Sequence, residues 1–319
     1  MSDQSKLIWF NGEIVPWEEA QIHVMSHVLH YGSGVFEGIK CYSTQNGPVI
    51  FRLDDHIKRL FESGEKYGII IPYSVNELTK ACLDIVKLNG FENCYIRPIA
   101  FYGYDTLGVH PKDCPVEVAV ASFFWGAYLG EDGLLSGVNI TVSPWKRLSL
   151  ESFPSSTKAS GQYLNSMLAV QDARKRGYDE ALLLNHDGFV AEGSGQNIFI
   201  VKDKKVITNG ENASILMGIT RETIIQLCHD LEIDIQIMDI THEMLLNADE
   251  AFFTGTASEI TPISSVDDSS IGNGKPGAGE ITLQLKNLYL DIIHGKVSQY
   301  SHWLSPIQCA KNLTPSVAE

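Results

Sequence analysis

Phe153-Pro154-Ser155-Ser156-Thr157-Lys158-Ala159-Ser160-Gly161-Gln162-Tyr163-Leu164-Asn165 is the stretch on which the reading of this chain turns. It sets one lysine among small residues and follows it, five positions on, with a tyrosine. Downstream come Glu192-Gly193-Ser194-Gly195-Gln196-Asn197 and then Gly218-Ile219-Thr220-Arg221. A fourth segment is Gly255-Thr256-Ala257-Ser258-Glu259-Ile260-Thr261-Pro262. Taken singly, each has an ordinary explanation. Most lysines are solvated, a glutamate before a turn is usually a loop residue, and Gly-x-Thr turns are common.

Together they have a chemical meaning. A lysine that forms an imine spends part of its cycle as a neutral amine, so partial burial and a nearby cation suit it. Gly218-Ile219-Thr220 precedes a helix predicted over Arg221–Leu231. A helix N-terminus offers free N–H groups and partial positive charge to a phosphate. Thr256 adds a hydroxyl and an N–H. A Schiff-base lysine, a carboxylate for a ring nitrogen and two phosphate-binding turns are what pyridoxal phosphate requires of a protein.

In order and spacing these segments closely resemble the branched-chain aminotransferases of the fold-type IV pyridoxal-phosphate enzymes, from about Ile8 to Leu304. The resemblance implies an α/β fold, with a small α+β domain and a larger α/β pseudo-barrel domain. It implies that Lys158 forms the Schiff base and carries the proton, that Glu192 meets the pyridine nitrogen, and that Tyr163 donates towards the 3′-oxygen. Arg59, Ile219, Thr220 and Thr256 would hold the phosphate. The implied substrate wall comprises Tyr31, Phe36, Tyr95, Arg97, Val109, Trp125 and Tyr128, with the backbone of Thr256 and Ala257 taking the α-carboxylate. Arg97, on the same strand face as Tyr95, would meet the distal carboxylate of glutamate. Leu107-Gly108-Val109 matches a loop that in relatives reaches into the neighbouring subunit. A homodimer or higher homo-oligomer, a hexamer included, is therefore expected, with the active site completed across the dimer interface.

The chain departs from the family pattern at Gln196, where a second glutamate is common, and at Thr106, where glycine is common. Other chemistries on the same fold use the same lysine and glutamate. An aminodeoxychorismate-lyase-like enzyme and a D-amino-acid or amine transaminase are the alternatives, and they differ in the pocket. Tyr95-Ile96-Arg97 and Gly255-Thr256-Ala257 favour transfer from Leu, Ile or Val to 2-oxoglutarate.

The whole chain sets consistent bounds. Its 319 residues can build two cores, and 44% hydrophobic with 20% charged residues is ordinary globular composition. A formal charge of -15 and a pI near 5.1 argue against nucleic acid and anionic membrane as partners. The six cysteines are scattered, without metal or redox spacing, as in a reduced cytoplasmic enzyme. His27 and His30 are three apart but lack the further ligands of a metal site, and Tyr31–Gly38 lacks the Gly-Lys-Ser/Thr of a P-loop. No signal-peptide core or membrane-length apolar run is present.

Asn11-Gly12 is a hairpin turn between Leu7–Phe10 and the strand after it. Val49–Arg52 reads as a strand, Asp54 as the cap of a helix bearing Ile57, Leu60, Phe61 and Tyr67, and Val75–Asn89 as a second helix ended by Gly90. Strands Cys94–Tyr102 and Val116–Phe124 close a first domain over residues 1–124. Residues 125–136 read as a glycine-bearing interdomain loop and 137–304 as the large cofactor-binding domain, in which Ser269–Gly279 is a mobile loop. Residues 305–319 read as a disordered tail.

Overall fold

The Asn11-Gly12 turn is where the fold begins, because both residues adopt positive φ (48° and 96°) and so match the twist of the strands they join. The computed structural model describes residues 5–126, 129–130, 133, 136–272 and 277–307. The hairpin strands β1 (Leu7–Phe10) and β2 (Glu13–Pro16) join β3 (Gly34–Phe36), β4 (Ile39–Tyr42), β5 (Val49–Phe51), β6 (Cys94–Tyr102) and β7 (Val116–Phe123) in a first, antiparallel sheet. The long β6 pairs with β4 through its first residues and with β3 through its last.

A second, mixed sheet is built from β8 (Val138–Val142), β9 (Glu180–Leu184), β10 (Val190–Gly193), β11 (Asn197–Lys202), β12 (Lys205–Thr208), β13 (Ile235–Ile237), β14 (Glu250–Gly255), β15 (Glu259–Val266) and β16 (Ser269–Ser270). Finally β17 (Leu304–Pro306) returns to pair with β5 at the edge of the first sheet. The helices are α1 (His27–Tyr31), α2 (Leu53–Lys66), α3 (Val75–Asn89), α4 (Tyr163–Lys175), α5 (Ile219–Asp230), α6 (His242–Leu246) and α7 (Glu280–Ile293).

The predicted apolar stripe of α2 is buried at Ile57 and Leu60 and half-buried at Phe61 and Tyr67, packed with α3 against the first sheet. A reciprocal capping box between Ser74 and Glu77 starts α3, and Gly90, at φ 71°, ends it where expected. Another core joins the two sheets. Tyr42, Val49 and Phe51 pack with Phe199, Phe252, Leu285 and Tyr289, so the sheets share one apolar contact and leave a cleft beside it.

Three boundary expectations are corrected. Asp54 does not cap α2: Arg52 holds the N-cap in the left-handed region (φ 52°), no side chain caps the end, and Asp54 lies in the first turn. The buried Leu53 begins the helix because the chain turns directly off β5. The helix expected from Arg221 starts two residues earlier, with Gly218 as its N-cap. The disordered tail does not begin at residue 305. Ser305 and Pro306 continue β17 and Ile307 is buried in the first core, because an open sheet edge can order a short segment of low apolar content. Residues 308–319 lie outside the described residues, as do 273–276 of the expected mobile loop; of that loop, Ser269 and Ser270 form β16.

Candidate active site

The segment around Lys158 is unwound but tied down. Gln162 donates from Nε2 to the Pro154 carbonyl (3.1 Å), the Thr157 hydroxyl (3.0 Å) and the Tyr67 hydroxyl (2.8 Å). The Lys158 N–H donates to Ser63 Oγ (3.1 Å) on α2, and its carbonyl accepts from the Phe36 N–H (3.0 Å) on β3. The lysine is thus fixed to the first sheet while its side chain enters the cleft. There Nζ donates to the Tyr163 hydroxyl at 2.7 Å and lies 5.3 Å from the centre of the Phe36 ring.

The cleft is lined by Arg59, Arg147, Lys158, Tyr163, Glu192, Ser194, Asn197, Ile219, Thr220 and Thr256, among others. All seven residues expected at the cofactor therefore share one wall system: Arg59, Lys158, Tyr163, Glu192, Ile219, Thr220 and Thr256.

Glu192 is delivered by a bulge. The register of β10 on β9 slips between Val190 and Glu192, and bulges re-aim side chains in this way. Its carboxylate is buried, forms an ion pair with Arg147 (2.6 Å), and accepts the Leu216 N–H (3.2 Å) and Asn197 Nδ2 (3.3 Å). Burial pushes its carboxyl above the ordinary value, and Arg147, the Leu216 N–H and Lys158 oppose that push. The sequence pointed to Glu192 but missed Arg147, which lies just before the lysine segment and belongs to none of the quoted motifs.

The family departure at Gln196 has a local explanation. Gln196 Nε2 donates to the buried Glu180 carboxylate (3.0 Å), and Oε1 accepts the Gly195 N–H (3.0 Å). A glutamate at 196 would set two carboxylates together where burial already raises the Glu180 carboxyl. Thr106, the other departure, contacts Cys114 through its hydroxyl (3.7 Å), which braces its loop internally.

The far end of the cleft is the N-terminus of α5. Its first N–H groups have no partner within the helix, and no side chain caps them. Gly218 is required there, since a Cβ would lie 2.0 Å from Asn197 Oδ1. Arg59 reaches the same place from α2, with Nη1 donating to the Met217 carbonyl at 3.0 Å. An amine, a buried carboxylate and a cationic, N–H-rich pocket thus line one cleft, and the donor set fits a phosphorylated pyridine aldehyde.

On the substrate side Phe36 lies 4.9 Å from Tyr163, ring centre to ring centre, and Arg97 stacks over Phe36 (4.7 Å) and Tyr95 (5.3 Å). Gly38 leaves room for Tyr95: a Cβ would sit 1.7 Å from its hydroxyl oxygen. Trp125 packs on Tyr95 (4.6 Å), and Trp125 and Ala257 border a neighbouring cavity. Tyr31 and Val109 do not line the Lys158 cleft; they are exposed, Val109 at 83%. They lie near each other, because buried His27 packs on the Tyr31 ring (4.5 Å) and bonds the Gly108 carbonyl (2.7 Å). Tyr128 lies outside the described residues. His27 is therefore engaged in structure, and no cluster of metal-ligating side chains occurs among the described residues.

Residues 34–266 match the amino-transferase class IV family. The branched-chain-amino-acid aminotransferase of Salmonella typhimurium is 42% identical over 301 residues, covering 94% of this chain and 97% of that protein. The crystal structure of the Escherichia coli branched-chain amino acid aminotransferase superposes with a TM-score of 0.93 at 41% identity, covering 96% of this chain and 100% of that one. The branched-chain amino acid aminotransferase of Thermobaculum terrenum, in its PLP-form, gives a TM-score of 0.89 at 34% identity, covering 96% of this chain and 99% of that one.

Proposed function

The chain belongs to the amino-transferase class IV family, and on that premise we infer that it is a branched-chain amino acid aminotransferase using pyridoxal 5'-phosphate. It moves the amino group of L-leucine, L-isoleucine or L-valine to 2-oxoglutarate, in two half-reactions that return the branched 2-oxo acid and L-glutamate. The observation that carries this reading is the Lys158–Tyr163 pair, 2.7 Å apart in a cleft that also presents Glu192 and the α5 N-terminus.

Bound there, pyridoxal phosphate supplies the carbonyl that takes up the amine and a ring that withdraws electrons from the substrate Cα. The protein does the rest. Lys158 would hold the aldehyde, and its free amine would carry the proton from the substrate Cα to the cofactor's C4′. Tyr163, whose hydroxyl oxygen accepts a hydrogen from Lys158 Nζ, keeps that amine in place. Glu192, charged and braced by Arg147, favours a protonated ring nitrogen. The α5 N-terminus, Arg59 and Thr256 would hold the phosphate, and the Thr256 and Ala257 N–H groups would take the substrate α-carboxylate.

Phe36, Tyr95 and Trp125 receive the aliphatic chain. Arg97 lies against two of these rings, and among the described residues its Nε is buried without a hydrogen-bond partner, so it has capacity for an incoming carboxylate. Replacing Arg97 with alanine is expected to weaken the glutamate and 2-oxoglutarate half-reaction ten- to a hundredfold. That range corresponds to a charge-assisted hydrogen bond of about 1.5–3 kcal/mol. The leucine half-reaction should change little, since leucine has no distal charge. Single-turnover rates for each substrate decide it, and equal losses would mean that Arg97 is structural or binds the α-carboxylate.

A homo-oligomer, dimeric or larger with a hexamer included, is part of the proposal. Exposed Leu29, Tyr31, Leu107 and Val109, with Leu164, Met167 and Leu168 on α4, give apolar surface for a second copy, whose site Tyr31 and Val109 would complete. So is the division into residues 1–124 and 137–304 about the 125–136 loop, amended by the return of β17 to the first sheet. Among the described residues no helix is long and apolar enough to cross a membrane. Together with unpaired thiols and an acidic surface, that supports a cytoplasmic enzyme with small-molecule partners and no role for nucleic acid.

A further inference from the structure

Glu37 is fully buried, yet the glycine-rich segment that contains it assigned it no role, and the chemistry above gives it no part. Its Oε1 accepts Arg59 Nε at 2.6 Å, and its Oε2 accepts Arg59 Nη2 at 2.9 Å and His56 Nδ1 at 2.7 Å. The Gly38 N–H donates to the same Oε2 at 3.2 Å. A buried carboxylate is tolerated only with this degree of compensation. Burial alone would push the Glu37 carboxyl up, but Arg59 and His56 overcome it and hold it well below the usual carboxylate range. Burial pushes His56 the other way, below its ordinary value. The consistent state is a charged Glu37–Arg59 pair with a neutral histidine donating its Nδ1–H.

A guanidinium has five N–H donors. Glu37 takes the Nε donor and one on Nη2, and the Met217 carbonyl takes one on Nη1. Two remain, one on each Nη atom, and Met217 immediately precedes the Gly218 N-cap of α5. The free donors therefore belong to a side chain held beside the phosphate end of the cleft, and a guanidinium N–H makes a strong, charge-assisted bond to a phosphate oxygen. Arg59 also has somewhere else to go. It borders a second cavity, lined by Asp55, Glu62, Glu65 and Glu222 among others, and these carboxylates would compete for a released guanidinium.

We propose that Glu37 is a positioning residue for phosphate recognition, acting through Arg59 by fixing the guanidinium with its two free donors toward the α5 N-terminus. This rests on the reading that Arg59 meets the cofactor phosphate. The same carboxylate ties Phe36–Gly38 of the substrate wall to α2, so the phosphate grip and the wall move as one piece. The proposal predicts a sign opposite to simple electrostatics. Removing a negative charge beside an anion site should tighten anion binding if charge alone decides; it should loosen binding if orientation decides.

The test uses the full-length protein and pyridoxamine 5'-phosphate, which has no covalent bond to Lys158 and so reports the phosphate grip rather than turnover. Retention is measured by ultrafiltration and fluorescence of the free cofactor. Glu37→Gln should raise the dissociation constant at least tenfold, and Arg59→Ala should raise it further. Adding Glu37→Gln to Arg59→Ala should cost nothing more, because the effect passes through the arginine. Unchanged or tighter retention in Glu37→Gln, or losses that simply add, would overturn the proposal. Normal retention in Arg59→Ala would instead overturn the phosphate reading beneath it. If the amide does not fold, Glu37→Asp serves as the second probe. It keeps the charge but withdraws it from the guanidinium, and weaker retention supports the proposal while normal retention overturns it.

Discussion

Lys158→Ala protein gives no borohydride-reducible link to pyridoxal phosphate, and its turnover falls by at least about ten-thousandfold. That is the upper end of what one acid–base group contributes, and here the covalent role is lost as well. The expectation follows from position. Lys158 Nζ lines the cleft together with Glu192 and the α5 N-terminus and is held by Tyr163. The anchors that fix this segment, Gln162 to Pro154 and Thr157 and the Lys158 backbone to Ser63 and Phe36, do not involve the amine. The variant should therefore fold normally. A reducible link at full stoichiometry in Lys158→Ala would show that another lysine holds the aldehyde.

Glu192→Gln should retain the cofactor and lose turnover by about a hundred- to a thousandfold, the range for removing one preorganised electrostatic partner. The amide keeps the shape and can still accept the Leu216 N–H, but it cannot favour a protonated ring nitrogen. It also leaves Arg147 as a buried cation without its ion-pair partner, so a lower melting temperature is expected alongside. Turnover and cofactor retention must be measured separately for that reason. Near-normal turnover with cofactor bound would show that Glu192 only braces the bulge.

Much of this site was legible because its parts lie in short local patterns. A lysine among small residues, a glutamate opening a glycine-rich turn and a Gly-x-Thr before a helix each mark a backbone that must approach a ligand closely. The family resemblance then placed Arg59 and Arg97, which no local pattern marks. What stayed hidden depends on contacts between distant segments. Arg147 meets Glu192 across forty-five positions, and Glu37, in the link between β3 and β4, meets Arg59 on α2; neither partner can be read from local sequence. The bulge that aims Glu192 is a property of pairing rather than of composition. Edge strand β17 was missed for the same reason, since three residues become a strand only where β5 offers an unpaired edge. Tyr31 and Val109 were identified by resemblance alone, and both are exposed rather than lining the Lys158 cleft.

Exchange of an amino group between an L-configured branched aliphatic amino acid and 2-oxoglutarate is the activity expected of this cleft. The direct measurement is the formation of L-glutamate when the purified protein, saturated with pyridoxal phosphate, is mixed with 2-oxoglutarate and either L-leucine or D-leucine. L-glutamate and 4-methyl-2-oxopentanoate should appear rapidly and in equal amounts with the L enantiomer, and none above background with the D enantiomer. Reaction with D-leucine alone, or no glutamate from either enantiomer, would contradict this expectation.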